Sequence, residues 1–333
     1  MINKIKFTIL LGATLAIVSG HVNAADIYYD PSSNAEMNSC GEVNDEVPLV
    51  TESSGSGIAN YTGANLRCTI DLDALNLTLY KAALCTGPLN LSDPSIDWAS
   101  KCAFIMDDDA GFNFTVTQGA TASIPAAKID VSTLVEATYT HAVLMVGRDV
   151  KAKLAAQFSE EFIGRYGSGR FCYSLDAVDP KGQPINSLSV LAANCVADEA
   201  TMLARGDHDF STNNIQSWYN FTSGDYENHK SAANGDEVYV FKDANTIVPN
   251  SEIEQTGANR GSSTATRVVG VMELQNPATV TANSSNFIAG FALSDHGMIR
   301  FAGRGSAGCT ASSSTACITA MRNYAVGFRV SVE

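Results

Sequence analysis

The feature that most constrains this chain is that its hydrophobic residues recur at every second position. Apolar and polar residues alternate through residues 75–84 and 112–116, which is the period of a strand with one buried face. Clusters of Gly, Ser, Asn and Asp separate such runs, so the pattern predicts an all-β protein, built as one or two sandwiches, rather than βαβ units. Further runs that predict strands lie at residues 139–146, 170–175, 188–196, 237–241, 267–274, 287–293, 298–301 and 324–332.

Two segments have features of helices. Val150, Leu154, Phe158 and Phe162 recur every four residues, with the good helix formers Ala, Lys, Gln and Glu between them. This spacing predicts a short helix around residues 156–166. The front of the segment also alternates, so a strand that reaches about Phe158 is the alternative. A second short helix is predicted around residues 198–204.

The length of 333 residues is about twice that of a common domain and suggests two units. After a leader of residues 1–24, we expect a β-rich domain over 25–200 and a polar linker or long loop over 201–234. A second β-rich domain would cover 235–333. The alternative is one large sandwich that continues through these residues, with a long excursion at 201–234.

The N-terminus is typical of a secretory signal peptide. Lys4 and Lys6 precede an apolar run over residues 7–18, and the small or modest residues Val22 and Ala24 follow it. An apolar run of this length is too short to span a bilayer, so we expect no integral membrane segment after cleavage. The protein is therefore expected to be secreted or displayed at the cell surface, with the periplasm as the other compartment open to it.

The chain contains eight cysteines, an even number, and none forms a C-x2-C pair of the kind that binds zinc. In an oxidising compartment they are expected to form disulfides. Because closing a short loop costs the least entropy, neighbours in the sequence are the expected partners. The predicted pairs are Cys40–Cys68, Cys85–Cys102, Cys172–Cys195 and Cys309–Cys317.

The balance of charges excludes one class of partner. The chain has 35 Asp and Glu against 21 Lys and Arg, for a formal net charge of −14. A surface of this sign repels phosphates, so we expect no nucleic-acid partner.

Three consecutive carboxylates, Asp107, Asp108 and Asp109, form a candidate metal site. They lie between two predicted strands, so the sequence predicts that they occupy a turn. Adjacent carboxylates repel each other, and calcium, which takes several oxygen ligands, would relieve the repulsion. The spacing does not match the EF-hand loop, and a solvated hairpin tip is the alternative. No other cofactor is predicted.

A second polar cluster is a candidate ligand-binding site. Asp207, His208 and Asp209 precede Trp218 and Tyr219. Carboxylates beside exposed aromatic rings suit a surface that binds sugars, whose apolar faces stack on such rings. The alternative is a loop whose aromatic residues pack inward.

The sequence contains no catalytic signature that we can match. It lacks the G-x-S-x-G and H-E-x-x-H patterns of common hydrolases, so an enzyme is the less favoured interpretation. We expect a secreted structural or interaction protein of the cell surface, of the filament, coat or adhesin type. It would pair strands with itself or with other surface proteins through residues 25–30 or the final strand. The alternatives are a carbohydrate-binding module, calcium-assisted or not, and a secreted hydrolase with an unrecognised site.

Overall fold

Antiparallel strands dominate the part of the chain that the structure describes, which confirms the prediction of a mostly β fold. The computed structural model describes residues 11–12, 64–89, 98–118, 121–122, 124, 126–176, 193–214, 237–249, 252, 264–284, 287–293, 296–302, 316–323 and 327–332. Its strands are β1 (Leu11–Gly12), β2 (Ala64–Ile70), β3 (Ala74–Cys85), β4 (Cys102–Thr117), β5 (Thr121–Ala122), β6 (Ala137–Gly147), β7 (Asp149–Lys153), β8 (Ala155–Ile163), β9 (Ser168–Ser174), β10 (Ala193–Val196), β11 (Ser211–Asn214), β12 (Glu237–Phe241), β13 (Arg267–Val280), β14 (Phe287–Ala292), β15 (Gly297–Ala302), β16 (Cys317–Asn323) and β17 (Gly327–Val332).

Two large sheets are formed by these strands. The first has six strands in the order β10-β9-β8-β16-β15-β2, and every pair is antiparallel except β16 with β8. The second has seven strands, with the path β11-β7-β3-β6-β13-β12 and β4 paired with β3. Strand β4 pairs with one edge of β3 over almost the whole length of β3, so β6 and β7 share the opposite edge of β3. Strand β4 is therefore an edge strand.

A single hydrophobic cluster takes side chains from both large sheets. Phe158, Phe162 and Phe301 of the six-stranded sheet are at most 1% exposed, and their rings pack against one another. Leu75 and Val268 of the seven-stranded sheet belong to the same cluster. Burial of each such side chain contributes about 1.5–3 kcal/mol, so this shared core holds the two sheets together.

The predicted helix at residues 156–166 is wrong, and the alternative of a strand is confirmed. Residues 149–153 form β7, and Ala155–Ile163 form β8. The physical reason is that a repeat of four residues is also a multiple of two. Val150, Leu154, Phe158 and Phe162 are all buried, because alternate residues of β7 and β8 face the core that the two large sheets share, and Leu154, between these strands, lies in the same core.

The second predicted helix is confirmed as α1 (Glu199–Arg205). The Asp198 carboxylate accepts a hydrogen bond from the Thr201 N–H and caps the N-terminus. Gly206 ends the helix with a φ of 68°, a left-handed conformation that favours glycine. Met202 is the buried residue of α1 and packs against β9 and β10.

Two of the four predicted disulfides lie within the described residues, and both are present. Cys85–Cys102 joins β3 to β4, and Cys172–Cys195 joins β9 to β10. Cys68 and Cys317 are also disulfide-bonded. They lie on β2 and β16, and β15 lies between these two strands. Two strand spacings exceed the roughly 7 Å between Cα atoms that a disulfide can span, so Cys68 and Cys317 are not bonded to each other. Cys40 and Cys309 lie outside the described residues, so the two remaining pairings stay predictions.

Strands from both sides of residues 201–234 belong to the same sheets. Strand β13 pairs with β6, and β15 pairs with β2. This is the arrangement expected if one unit continues through that segment, although most of 201–234 lies outside the described residues. Leu11 and Gly12, within the predicted signal peptide, pair with Thr121 and Ala122; the rest of residues 1–24 lies outside the described part.

Candidate functional site

The three consecutive carboxylates lie in an edge strand and not at the tip of a hairpin, so the predicted turn is wrong. Asp107 pairs with Lys81 and Phe112 with Leu79, which leaves residues 108–111 opposite Tyr80 as a bulge in β4. Gly111 has a φ of 77°, a conformation that ends the bulge and returns the chain to the ladder. The sequence pattern predicts a turn because β-bulges and turns both use residues such as Asp and Gly, which are present here.

Cationic side chains of this chain face all three carboxylates. The Lys81 ammonium, whose side chain is 9% exposed, lies 2.7 Å from Asp107 Oδ1 and 3.9 Å from Asp109 Oδ1. Lys128 pairs with Asp108, and its hydrogen bond holds the pKa of that carboxyl below its usual value.

Arg267 contributes the third positive charge to this cluster. Its Nη2 donates to the Asp109 carbonyl at 2.9 Å, and its Nη1 lies 3.8 Å from Asp109 Oδ1. The guanidinium carbon is 3.8 Å from the centre of the Tyr80 ring, which is a cation–π contact. The bulge is therefore anchored by cations on β3, on β13 and in the segment after β4.

Calcium binding at Asp107, Asp108 and Asp109 stays a prediction. A divalent cation would have to displace Lys81 and Lys128 or bind beside them, which opposes binding. Within the described residues, no group of three His, Cys, Asp or Glu side chains has the arrangement of a metal site. The geometry supports a structural use of these carboxylates, in which they compensate buried cations.

We expect Asp107→Asn to destabilise the protein more than Lys81→Met. The first change leaves the ammonium of Lys81 buried without its nearest counter-ion, whereas the second leaves the half-exposed Asp107 carboxylate free to hydrate. The expected costs in the free energy of unfolding are about 1–3 kcal/mol for Asp107→Asn and less than about 1 kcal/mol for Lys81→Met. Urea unfolding of both oxidised variants measures this difference, and the reverse order would contradict the structural role.

The second polar cluster joins α1 to the disulfide-bonded strands. Tyr173 Oη donates to Asp207 Oδ1 at 2.6 Å, and Arg205 donates to Asp207 Oδ2 through Nε and Nη2. Asn194, which is fully buried, donates to Tyr173 Oη at 2.6 Å. Burial alone would raise the pKa of Asp207, but the hydrogen bonds from Arg205 and Tyr173 outweigh it and lower the pKa. Asp207 is thus a structural acceptor that remains ionised.

His208 lies where the chain crosses between the two large sheets. Its side chain is 15% exposed, and its ring packs edge-on against Tyr173 with a centroid distance of 5.6 Å. Nε2 is buried, and its nearest acidic group in the described part is Asp73, 3.9 Å away. Burial, with a smaller contribution from the charge of Lys153, lowers the pKa of His208 to about 4. The imidazole is therefore neutral at pH 7.

Asp209 secures the same crossing through its backbone. Its N–H donates to the Ser174 carbonyl at 3.3 Å, and its carbonyl accepts from Ser174 Oγ at 2.8 Å. The structure thus brings Asp207, His208 and Asp209 against β9, but Trp218 and Tyr219 lie outside the described residues. The glycan site as a whole stays a prediction.

Sequence reasoning missed Tyr173 and Asn194, the buried centre of this cluster. Their partners are 21 to 34 residues away along the chain, so no local pattern links them. The one available signal was that each adjoins a cysteine of the Cys172–Cys195 pair. A cross-strand disulfide places the neighbours of its two cysteines side by side.

No protein-family model, curated protein or solved structure matches this chain, so its sites are interpreted from their own chemistry. Among the described residues, no helix has the length and apolar character that crossing a membrane requires. The two disulfides fit an oxidising compartment outside the cytoplasm.

Proposed function

We propose that this is a secreted structural or interaction protein of the cell surface, of the filament, coat or adhesin type. It associates with copies of itself or with other surface proteins by strand pairing, after removal of the signal peptide. In this proposal the two large sheets face each other as a sandwich. The mostly β fold and its cross-strand disulfides support the proposal, because they give a secreted subunit mechanical and chemical durability.

The observation that carries this proposal is how the two acidic clusters are used. Asp107 and Asp108 are paired with Lys81 and Lys128, and Asp207 is held by Tyr173 and Arg205. The carboxylates of both clusters thereby link separate segments of this chain, as expected of a protein whose function depends on its shape and contacts.

The edges of the sheets favour some routes of assembly over others. Strand β4 is protected against edge pairing by its charged bulge, and the Asp130 N–H already donates to the Ile105 carbonyl on the edge that faces away from β3. The terminal strands of the six-stranded sheet, β2 and β10, each have one neighbouring strand in the described part of the chain. Strand β2 is the better acceptor for an added strand, because the Ala193 carbonyl of β10 already accepts a hydrogen bond from the Arg165 N–H.

Of the two proposed donor segments, residues 25–30 are the more suitable. The final strand β17 already pairs with β14 through six residue pairs. Its exchange with another molecule would require β14 to lose this partner. Residues 25–30 lie outside the described residues, and their use as a donor strand remains part of the proposal.

Electron microscopy and size analysis of the mature oxidised protein test this proposal. We expect filaments or a defined large oligomer. Ile27→Pro should abolish assembly, because proline removes a backbone donor from the added strand, whereas the matched control Ile27→Val should assemble normally. A wild-type protein that is monomeric at every concentration would overturn the proposal, and equal assembly by both variants would exclude residues 25–30 as the donor strand.

A further inference from the structure

An exposed aromatic ring lies in the turn between β8 and β9. Tyr166, on the surface of this turn, is 57% exposed. The guanidinium carbons of Arg165 and Arg205 lie 5.2 Å and 5.7 Å from the centre of its ring. We call these three residues the Tyr166 platform.

A closed network of hydrogen bonds fixes the position of the Tyr166 platform. Asn194 Oδ1 accepts from the Tyr166 N–H at 2.9 Å, and Asn194 Nδ2 donates to Tyr173 Oη. Tyr173 donates a hydrogen bond to Asp207, and Asp207 also accepts one from Arg205. The Arg205 guanidinium lies over the Tyr166 ring, which closes the network. Asn194 and Tyr173 are both fully buried. The exposed ring therefore rests on a rigid base, which reduces the entropy that a partner must remove on binding.

Arg165 supplies a charge that is available to a partner. Its backbone N–H donates to the Ala193 carbonyl at 2.9 Å, which holds the turn on β10. Within the described residues, no carboxylate pairs with the Arg165 guanidinium, which lies over Tyr166. Arg205, in contrast, is already paired with Asp207. The platform thus presents one aromatic ring and one uncompensated cation together.

Charge complementarity identifies the class of partner. Tyrosine and arginine are enriched among the residues that contribute most to protein interfaces. Because the chain carries 35 acidic against 21 basic side chains, a second copy presents the carboxylates that an exposed guanidinium would bind. We propose that the Tyr166 platform docks on an acidic surface of a second copy of this chain. This inference rests on the proposed function, since it names a contact used in self-association.

Analytical ultracentrifugation of the mature oxidised protein over a wide range of concentrations tests the inference. Tyr166→Ala and Arg165→Glu should each raise the Kd of self-association at least about tenfold, as expected for central interface residues. Both side chains are exposed, so the thermal unfolding midpoint should stay close to that of the wild type. Added salt should weaken association of the wild type more than that of Arg165→Glu, because the variant has already lost the charge pair.

Lys151→Glu is the matched control, because Lys151 is an exposed cation on β7 and the charge change is the same. It should leave the Kd within about twofold of the wild-type value. If the wild type associates and neither platform variant weakens association, the inference fails and the proposed function stands. If the wild type is monomeric throughout, both fail. Retention on an acidic polysaccharide that Tyr166→Ala abolishes, with self-association unchanged, would assign the platform to a glycan and overturn the inference.

Discussion

Gly169→Ala is expected to destabilise the protein by about 3–5 kcal/mol, the largest effect that we expect from any single methyl group. Gly169 is buried on β9, and a Cβ atom at this position would lie 1.9 Å from the carbonyl oxygen of Val196 on β10. The obstacle is backbone, so no side chain can rotate to make room. The neighbouring disulfide Cys172–Cys195 holds β9 and β10 together and prevents the two strands from separating to accommodate the methyl group.

Urea unfolding under oxidising conditions measures this effect. Gly270→Ala is the matched control, because Gly270 also lies inside a strand and a Cβ there would meet no atom within 4 Å. The control should be neutral or more stable by up to about 1 kcal/mol, since alanine loses less backbone entropy than glycine on folding. Equal midpoints for the two variants would show that β9 and β10 are not as closely apposed as the structure has them.

The second large expected effect is a loss of stability in acid that depends on His208. Burial lowers the pKa of His208 to about 4 in the folded protein, against about 6.5 for an unperturbed histidine. The unfolded chain therefore takes up a proton before the folded protein does as the pH falls below about 6.5. Stability decreases from about pH 6.5 to about pH 4, and this group contributes no further loss below that. The shift corresponds to about 3 kcal/mol at most.

Several charged groups surround this imidazole and set the size of the effect. Lys153 opposes protonation, whereas Asp207 and Asp209 favour it, as does a hydrogen bond with the Leu154 backbone. Asp73 lies 3.9 Å from Nε2. The pKa of Asp207 is itself lowered by Arg205 and Tyr173, despite the opposing effect of burial. Protonation of Asp207 at still lower pH therefore decreases the stability of the folded protein further.

Thermal unfolding of His208→Phe between pH 4 and pH 8 tests this assignment. Phenylalanine keeps a ring against Tyr173 and cannot take up a proton, and the Leu154 carbonyl retains its hydrogen bond from the Ser174 N–H. The variant should show a much flatter decline between about pH 6.5 and pH 4. The wild type, measured in parallel, is the reference for this decline. If His208→Phe also keeps that decline, the acid sensitivity has another origin.

The fold class was predictable because the period of the hydrophobic pattern is a local property. Residues 75–79 alternate as a half-buried strand does, residues 237–241 and 287–293 are short runs rich in apolar residues, and all three segments contain strands in the structure. Strand β16 (Cys317–Asn323) was missed because nearly every residue in it is buried, including Thr319 and Asn323. A strand that is covered on both faces and contains buried polar residues has no alternation to detect.

The candidate sites were predictable only as residues and not as arrangements. Asp107, Asp108 and Asp109 are adjacent in the sequence, and their mutual repulsion is evident from it. That repulsion is compensated by Lys81 and Arg267. These two residues lie on β3 and β13, which are distant from the carboxylates in the sequence. A pattern of hydrophobic residues specifies which face of a strand is buried, but not which strand lies beside it.

By itself, the sequence determined that the chain forms strands, that a short helix lies near residues 198–204, and that Cys85–Cys102 and Cys172–Cys195 close short loops. Each of these features depends on residues within one element or on the entropy of a short loop. Only the tertiary structure decided the order of the strands, the bulge in β4 and the surroundings of His208 and Tyr166. These depend on contacts between residues distant in sequence, because burial and charge pairing act through space rather than along the chain.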